Sequence, residues 1–175
     1  MPEGYESLAK IIVGQQISRQ AASAIWQRLE AHSLTSAHAF ASTDLIDLQK
    51  AGLSKQKAHY LANAAKAHLD GQLDFTELHA LSGEAVRDKL TSLKGIGNWT
   101  ADNYRLFALK DMDAWPGGDL ALQEAMRRLY NLQSRPTNSE MNELAQHWHP
   151  WRGAGALFLW HLYAIEVRQA TPSDV

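Results

Sequence analysis

The sequence predicts an all-α protein, a compact two-lobed helical domain, and three observations carry that expectation. Apolar residues recur at three- and four-residue spacing along nearly the whole chain, and no sustained period-two alternation marks a sheet. Ser, Asp or Asn stands immediately before several of these runs and Gly behind some of them, the punctuation of helix ends. The connections are short, without repeats, linkers or low-complexity tracts, so about ten short helices would form a globular bundle rather than a coiled coil.

Taken in order, the caps place helices at Arg19 to Ala31 behind Ser18, Lys55 to Leu69 between Ser54 and Gly71, and Gly83 to Thr91 behind Ser82. A shorter helix, Thr43 to Ala51, is stopped by Gly52. Asn98 is expected to cap Trp99 to Leu109, and the amphipathic run Leu120 to Tyr130 follows Asp119. Ser139 to Trp148 and Gly153 to Arg168 complete the set. The first and last helices are expected to pack together, giving two lobes and a central cleft within one domain over residues 1–175.

Composition narrows the function. The chain is 45% apolar and 21% charged, ordinary for a folded globular protein. It has no cysteine, which excludes disulfides, thiolate zinc sites and Cys-ligated iron–sulfur clusters. The longest apolar stretch, Gly153 to Val167, is too short to span a bilayer and carries His161 and Glu166, and no secretory signal opens the chain. No membrane partner is therefore expected. A net charge of −2 does not advertise nucleic-acid binding, yet backbone N–H groups and a local basic cluster can grip phosphates on an otherwise acidic protein. The His147-Trp148-His149 cluster lacks helical pairing with a carboxylate, so no catalytic metal is expected.

Two segments carry chemistry. Residues 90–101 read as a helix end, then Ser92-Leu93-Lys94-Gly95-Ile96-Gly97, then a new helix. Two glycines around one apolar residue allow a close backbone approach while Ile96 plugs the bundle beneath. The next helix N-terminus presents unpaired N–H groups and the positive end of its dipole. Together these form a phosphate cradle, with Lys94 beside it, although an ordinary corner between helices would show the same glycine pair. The second segment is the loop Trp115-Pro116-Gly117-Gly118-Asp119 at residues 115–119. It places Asp119 at a helix N-cap, where the helix favours a negative charge able to face a developing cation. Capping alone would also explain an Asp there.

Leu93, Gly95, Ile96, Gly97, Thr100 and Ala101 fill the helix-hairpin-helix pattern, and with Asp119 behind its Gly/Pro loop the chain resembles the helix-hairpin-helix DNA glycosylases, specifically the 3-methyladenine DNA glycosylase II branch. Gly14-Gln15-Gln16-Ile17-Ser18, Gly52-Leu53-Ser54 with Lys57-Ala58, and Pro150-Trp151-Arg152 with Trp160 extend the likeness over about residues 5–168. The N-terminal β domain of some members is not expected here, since the sequence starts almost directly at the first core helix.

The resemblance implies excision of alkylated purines from double-stranded DNA by base flipping and hydrolysis of the N-glycosidic bond, the first step of base excision repair. It makes Asp119 the catalytic carboxylate. Gln15, Gln16 and Ile17 form the turn that fills the gap in the duplex, with Gln16 as its tip, and Lys94, Gly95, Ile96, Gly97 and Thr100 bind DNA. The carbonyls of Thr91, Leu93 and Ile96 would hold a structural Na+ or K+; no catalytic cofactor is expected. Trp160 would be the wall of the base pocket, with Trp99, Tyr104 and Trp115 as further aromatics and Asn103 where the branch has an aromatic. An aromatic slot suits a cationic base, and from spacing alone each ring could equally be core. Bifunctional relatives carry a lysine two positions after the second hairpin glycine; Trp99 stands there, so base release without strand cleavage is implied. A monomer is expected, cytoplasmic and, in a bacterium, associated with the nucleoid. The competing reading is a helix-hairpin-helix module that binds DNA without chemistry.

Overall fold

The computed structural model describes residues 1–170, with side chains through residue 165, and every regular element among them is helical. Ten α-helices and two short 3-10 turns make up the described residues, as the periodicity predicts. No helix among them is long and apolar enough to cross a membrane. The chain divides into two compact units, Met1–Lys110 and Asp111–Val175.

The first unit contains α1 (Tyr5–Gly14), α2 (Arg19–Ala31), α3 (Ala37–Ser42), α4 (Leu45–Lys50), α5 (Lys55–Leu69), a 3-10 turn (Glu77–Ala80), α6 (Gly83–Thr91) and α7 (Asn98–Phe107). Ser18, Ser54 and Ser82 each accept a hydrogen bond from the backbone N–H three residues on, so α2, α5 and α6 begin where their caps place them. Ser36 does the same for α3, an element the sequence reading omits. Two starts differ from expectation. The fourth helix begins behind Asp44 rather than at Thr43, and α7 already includes Asn98, with Gly97 as N-cap and no side-chain cap bond.

Helix α1 packs against α2, α5 and α7, and α6 packs against α7. Leu8, Ile12, Leu29, Phe40, Leu61 and Leu90 fill the interior without exposure. Removal of each such side chain from water stabilises the fold by roughly 1.5–3 kcal/mol. The two hairpin helices are also tied electrostatically: buried Asp102 on α7 accepts from Arg87 on α6 and from Arg105 on its own helix, both at 2.8 Å.

The second unit contains α8 (Leu120–Leu129), α9 (Asn138–Ala145), a 3-10 turn (Gln146–Trp148) and α10 (Arg152–Ala170). Helix α8 packs along α10, with Leu122, Ala125, Met126, Ala156 and Leu159 buried. Helix α9 starts ahead of the expected Ser139 because Thr137 and Glu140 form a reciprocal capping box. The start of α10 is pinned by Asp113, whose two carboxylate oxygens accept from the Arg152 guanidinium, at 2.8 Å for the Nε bond, and from the Arg152 backbone N–H at 3.3 Å. His149 Nδ1 lies 2.8 Å from the same carboxylate, and the Gly153 N–H donates to the Met112 carbonyl at 2.7 Å.

Arg152, with His149 assisting, holds the Asp113 carboxyl down at about 2. Its unfolded value is about 3.9, so the stabilisation is complete above that pH and is lost as pH falls toward 2. Asp113→Ala should lower stability at pH 7 by roughly 2 kcal/mol, the scale of hydrogen bonds to charged groups. Denaturation midpoints of wild type and variant should differ by a constant amount above about pH 4 and converge below it. A gap that stays the same down to pH 2.5 would show that the carboxylate charge is not what holds α10.

Candidate DNA interface and active site

The hairpin lies in the first unit, where α6 ends and α7 begins. Ile96 is 4% exposed and plugs the interior, while Lys94, Gly97 and Asn98 are exposed. The backbone turns at Gly95, which has φ +98°, and the Ile96 N–H closes the turn on the Leu93 carbonyl at 3.1 Å. The first N–H groups of α7 have no partner within their helix and sit at the positive end of its dipole. An exposed ammonium, an exposed glycine backbone and a helix N-terminus thus meet on one surface, which suits an anion.

The two glycines are small for different reasons. A Cβ on Gly95 would lie 2.0 Å from the Tyr60 ring, so this glycine is required from within. Gly97 has an ordinary extended backbone (φ −98°, ψ 177°), and a Cβ there would meet nothing within 4 Å. Among the described residues no contact requires glycine at 97; a partner pressed against that backbone would.

The turn after α1 belongs to the same unit. Gln16 is exposed with φ +57°, a left-handed conformation uncommon for a side-chain-bearing residue, and Ile17 beside it is 38% exposed. Gln15 is directed inward, however. Its amide donates to the Gly95 carbonyl at 3.1 Å and to Thr100 Oγ1 at 2.8 Å, and Thr100 itself is 2% exposed. The side chains of Gln15 and Thr100 therefore bond each other. Lys57, which the sequence reading passes over as a helix entry, donates to the carbonyls of Val13 and Gln15, both at 2.7 Å. It caps the C-terminal end of α1, and burial draws its pKa down.

The carboxylate lies in the second unit. Asp119 caps α8, its Oδ1 accepting from the N–H groups of Ala121 at 2.9 Å and Leu122 at 3.1 Å. The indole Nε1 of Trp160 on α10 donates to the same oxygen at 3.1 Å. Asp119 and Trp160 are both half-buried. The arrangement holds an anion at the positive end of a helix, against the edge of an aromatic ring whose own position it fixes.

Three of the proposed pocket residues are committed elsewhere. Tyr104 has no exposure; its hydroxyl accepts from the Gly4 N–H at 2.9 Å and its ring packs on Phe75, so it is a core pillar. Trp115 is 4% exposed and meets Trp148 edge-on at 5.7 Å, supporting the 115–119 loop from beneath. Asn103 is 5% exposed and donates to the Trp99 carbonyl one turn back. Trp99 is half-buried against the core of the first unit. Of the aromatics named from sequence, Trp160 is bonded to the carboxylate. Sequence gives no sign of Asp113 or Tyr60, because both act on partners more than thirty positions away.

A glycine hairpin ahead of one helix and a capping carboxylate bonded to an indole ahead of another mark a helix-hairpin-helix protein. Residues 9–150 match the family described as HhH-GPD superfamily base excision DNA repair protein, and the chain belongs to that family. It is 30% identical over 163 residues to DNA-3-methyladenine glycosylase 1 of Schizosaccharomyces pombe, covering 90% of this chain and 72% of that protein. It is 27% identical over 172 residues to the Bacillus subtilis protein YfjP, covering 89% of this chain and spanning 58% of that relative's length. The solved structure of the S. pombe 3-methyladenine DNA glycosylase in complex with abasic DNA matches with a TM-score of 0.85 at 29% identity, over 90% of this chain and 79% of that one. A DNA-3-methyladenine glycosidase from Bacillus halodurans matches with a TM-score of 0.79 at 32% identity, over 97% and 79% respectively.

The hairpin geometry separates two substitutions that look alike in sequence. Gly95→Ala should destabilise the protein by at least about 2 kcal/mol, through overpacking on Tyr60 and the cost of a left-handed backbone. Gly97→Ala should melt like wild type yet bind duplex DNA more weakly at matched salt. Wild-type DNA affinity in Gly97→Ala would remove the hairpin from the interface.

Proposed function

We propose that the protein is a monofunctional DNA glycosylase that flips alkylated purines of the 3-methyladenine type out of duplex DNA and hydrolyses their N-glycosidic bond, starting base excision repair. The observation that carries this reading is the shared hydrogen bond of Asp119 and Trp160. A base stacked on the Trp160 ring is held beside the carboxylate to which that ring is bonded. Alkylation gives the purine a positive charge, so the ring face attracts it by roughly 0.5–2 kcal/mol and the base leaves without a general acid. As the bond breaks, positive charge grows on the sugar, and the fixed carboxylate stabilises it. Asp119 also orients or deprotonates the attacking water.

At the hairpin, Lys94 and the N–H groups around Gly97 hold the phosphate backbone, and Gln16 with Ile17 enters the gap left by the flipped nucleotide. The Leu93 carbonyl keeps a lone pair beyond its bond to Ile96, and with the carbonyls of Thr91 and Ile96 it would hold Na+ or K+, which would add positive charge to this surface. Trp99, two positions after Gly97, supplies no amine for a Schiff base. The protein acts as a monomer in the compartment that holds the cell's DNA.

Asp119→Asn keeps size and capping ability, so the melting temperature should change little. Its single-turnover rate of base release should fall by at least ~10²-fold while affinity for lesion DNA is retained. Residual activity should be highest on the most cationic base, 3-methyladenine, and lowest on neutral hypoxanthine. Wild-type rates on both would reduce Asp119 to a helix cap. Products should carry intact abasic sites, and borohydride should trap no protein–DNA adduct; a trapped adduct would identify a lysine nucleophile and overturn the monofunctional assignment.

A further inference from the structure

We infer that Gln15 is a positioning residue that couples the hairpin to the turn carrying Gln16, so that the backbone gripping phosphate and the tip parting the duplex move as one body. The inference rests on the glycosylase reading above and adds a residue to its machinery.

Residue 15 is held at both ends. Its carbonyl accepts from Lys57 Nζ at 2.7 Å, and the same ammonium holds the Val13 carbonyl at 2.7 Å, which fixes the main chain as it leaves α1. Its side-chain amide has two hydrogens and spends one on the Gly95 carbonyl, 80 residues away, and one on Thr100 Oγ1, 85 residues away. The Gly95–Ile96 peptide is thereby gripped on both edges, by Gln15 at its oxygen and by the Leu93 carbonyl at its N–H. That peptide leads into Gly97 and the first turn of α7, and the Leu93 bond closes its turn independently of Gln15. The next residue along the other strand of the connection is Gln16, exposed and held at φ +57°. A left-handed conformation in a non-glycine residue persists where its surroundings over-determine it, and at residue 16 those surroundings are the bonds of its neighbour. Force applied by a phosphate at the hairpin therefore reaches the tip through this amide as well as through the packing of α1 on α7. A DNA contact donated by Gln15 would need those N–H groups free, and both are engaged.

The test uses the full chain and duplex DNA with 2-aminopurine beside a hypoxanthine. Fluorescence reports flipping, anisotropy on undamaged duplex reports the phosphate grip, and base release reports chemistry. Gln15→Leu should leave affinity for undamaged duplex within about twofold of wild type and reduce flipping about tenfold, a factor that corresponds to about 1.4 kcal/mol. Gln16→Ala should add little to the flipping loss in the double variant, since an uncoupled tip has little left to lose. Lys57→Met, which leaves the hairpin bonds alone, should reproduce the flipping defect and keeps the inference testable if Gln15→Leu folds poorly. Additive losses in the double variant, or wild-type flipping in both Gln15→Leu and Lys57→Met, would overturn the coupling. A lower affinity and shallower salt dependence on undamaged duplex would instead make Gln15 a direct DNA contact and overturn it too. A wild-type protein that neither flips nor releases base would overturn the glycosylase reading itself, an outcome distinct from an active wild type with unaffected variants.

Discussion

A single oxygen atom, Oδ1 of Asp119, joins the two principal helices of the second unit. It takes the first free N–H groups of α8 and the indole hydrogen of α10, so the helix start and the aromatic wall share one acceptor. A buried N–H without a partner is costly, and here three donors are satisfied by one charged group. The same contacts that keep α8 and α10 in register thus set the distance between carboxylate and ring. The acceptor role of this atom serves the fold, and its charge is what the chemistry adds.

The site is steadied from a distance by Asp113 and Arg152, which meet six residues before Asp119 and eight before Trp160. Eight residues of helix span about 12 Å. The ion pair therefore determines which turn of α10 faces the loop, and the buried residues Ala114 to Gly117 carry that setting to the carboxylate. In the first unit the corresponding task falls to the pair of helices around the hairpin, where Asp102 is shared by Arg87 and Arg105. Both devices use a carboxylate and arginine to tie an element next to a site loop.

Much of this was legible in the sequence because it is local. Ser18, Ser54 and Ser82 mark helix starts through a bond to a backbone group three residues on, and such a bond depends on little else. Thr137-Asn138-Ser139-Glu140 carries the same kind of signal, and reading Ser139 as the start missed the capping box one step earlier. Asp119 and Trp160 were legible as a pair only through the family resemblance; their hydrogen bond was not. Tyr104, Trp115 and Asn103 misled for a common reason. A ring or amide on a helix face announces that it meets something, and periodicity cannot say whether that is a ligand, Phe75, Trp148 or its own helix. Gln15 misled in the opposite direction, since a polar residue in an exposed turn reads as available until its partners 80 positions away are known.

The two hairpin glycines stand under different constraints although one residue separates them. At Gly95 the Tyr60 ring and the left-handed backbone leave no room for any other residue, whatever the protein does. At Gly97 the chain itself is indifferent. Mutational tolerance at these sites should therefore diverge once the duty of repair is lifted: in a lineage or laboratory population maintained only for soluble expression, position 97 is free to drift and position 95 is not. Side-chain diversity at 97 with glycine retained at 95 would be the genetic trace of a hairpin that still folds and no longer has a duplex to meet.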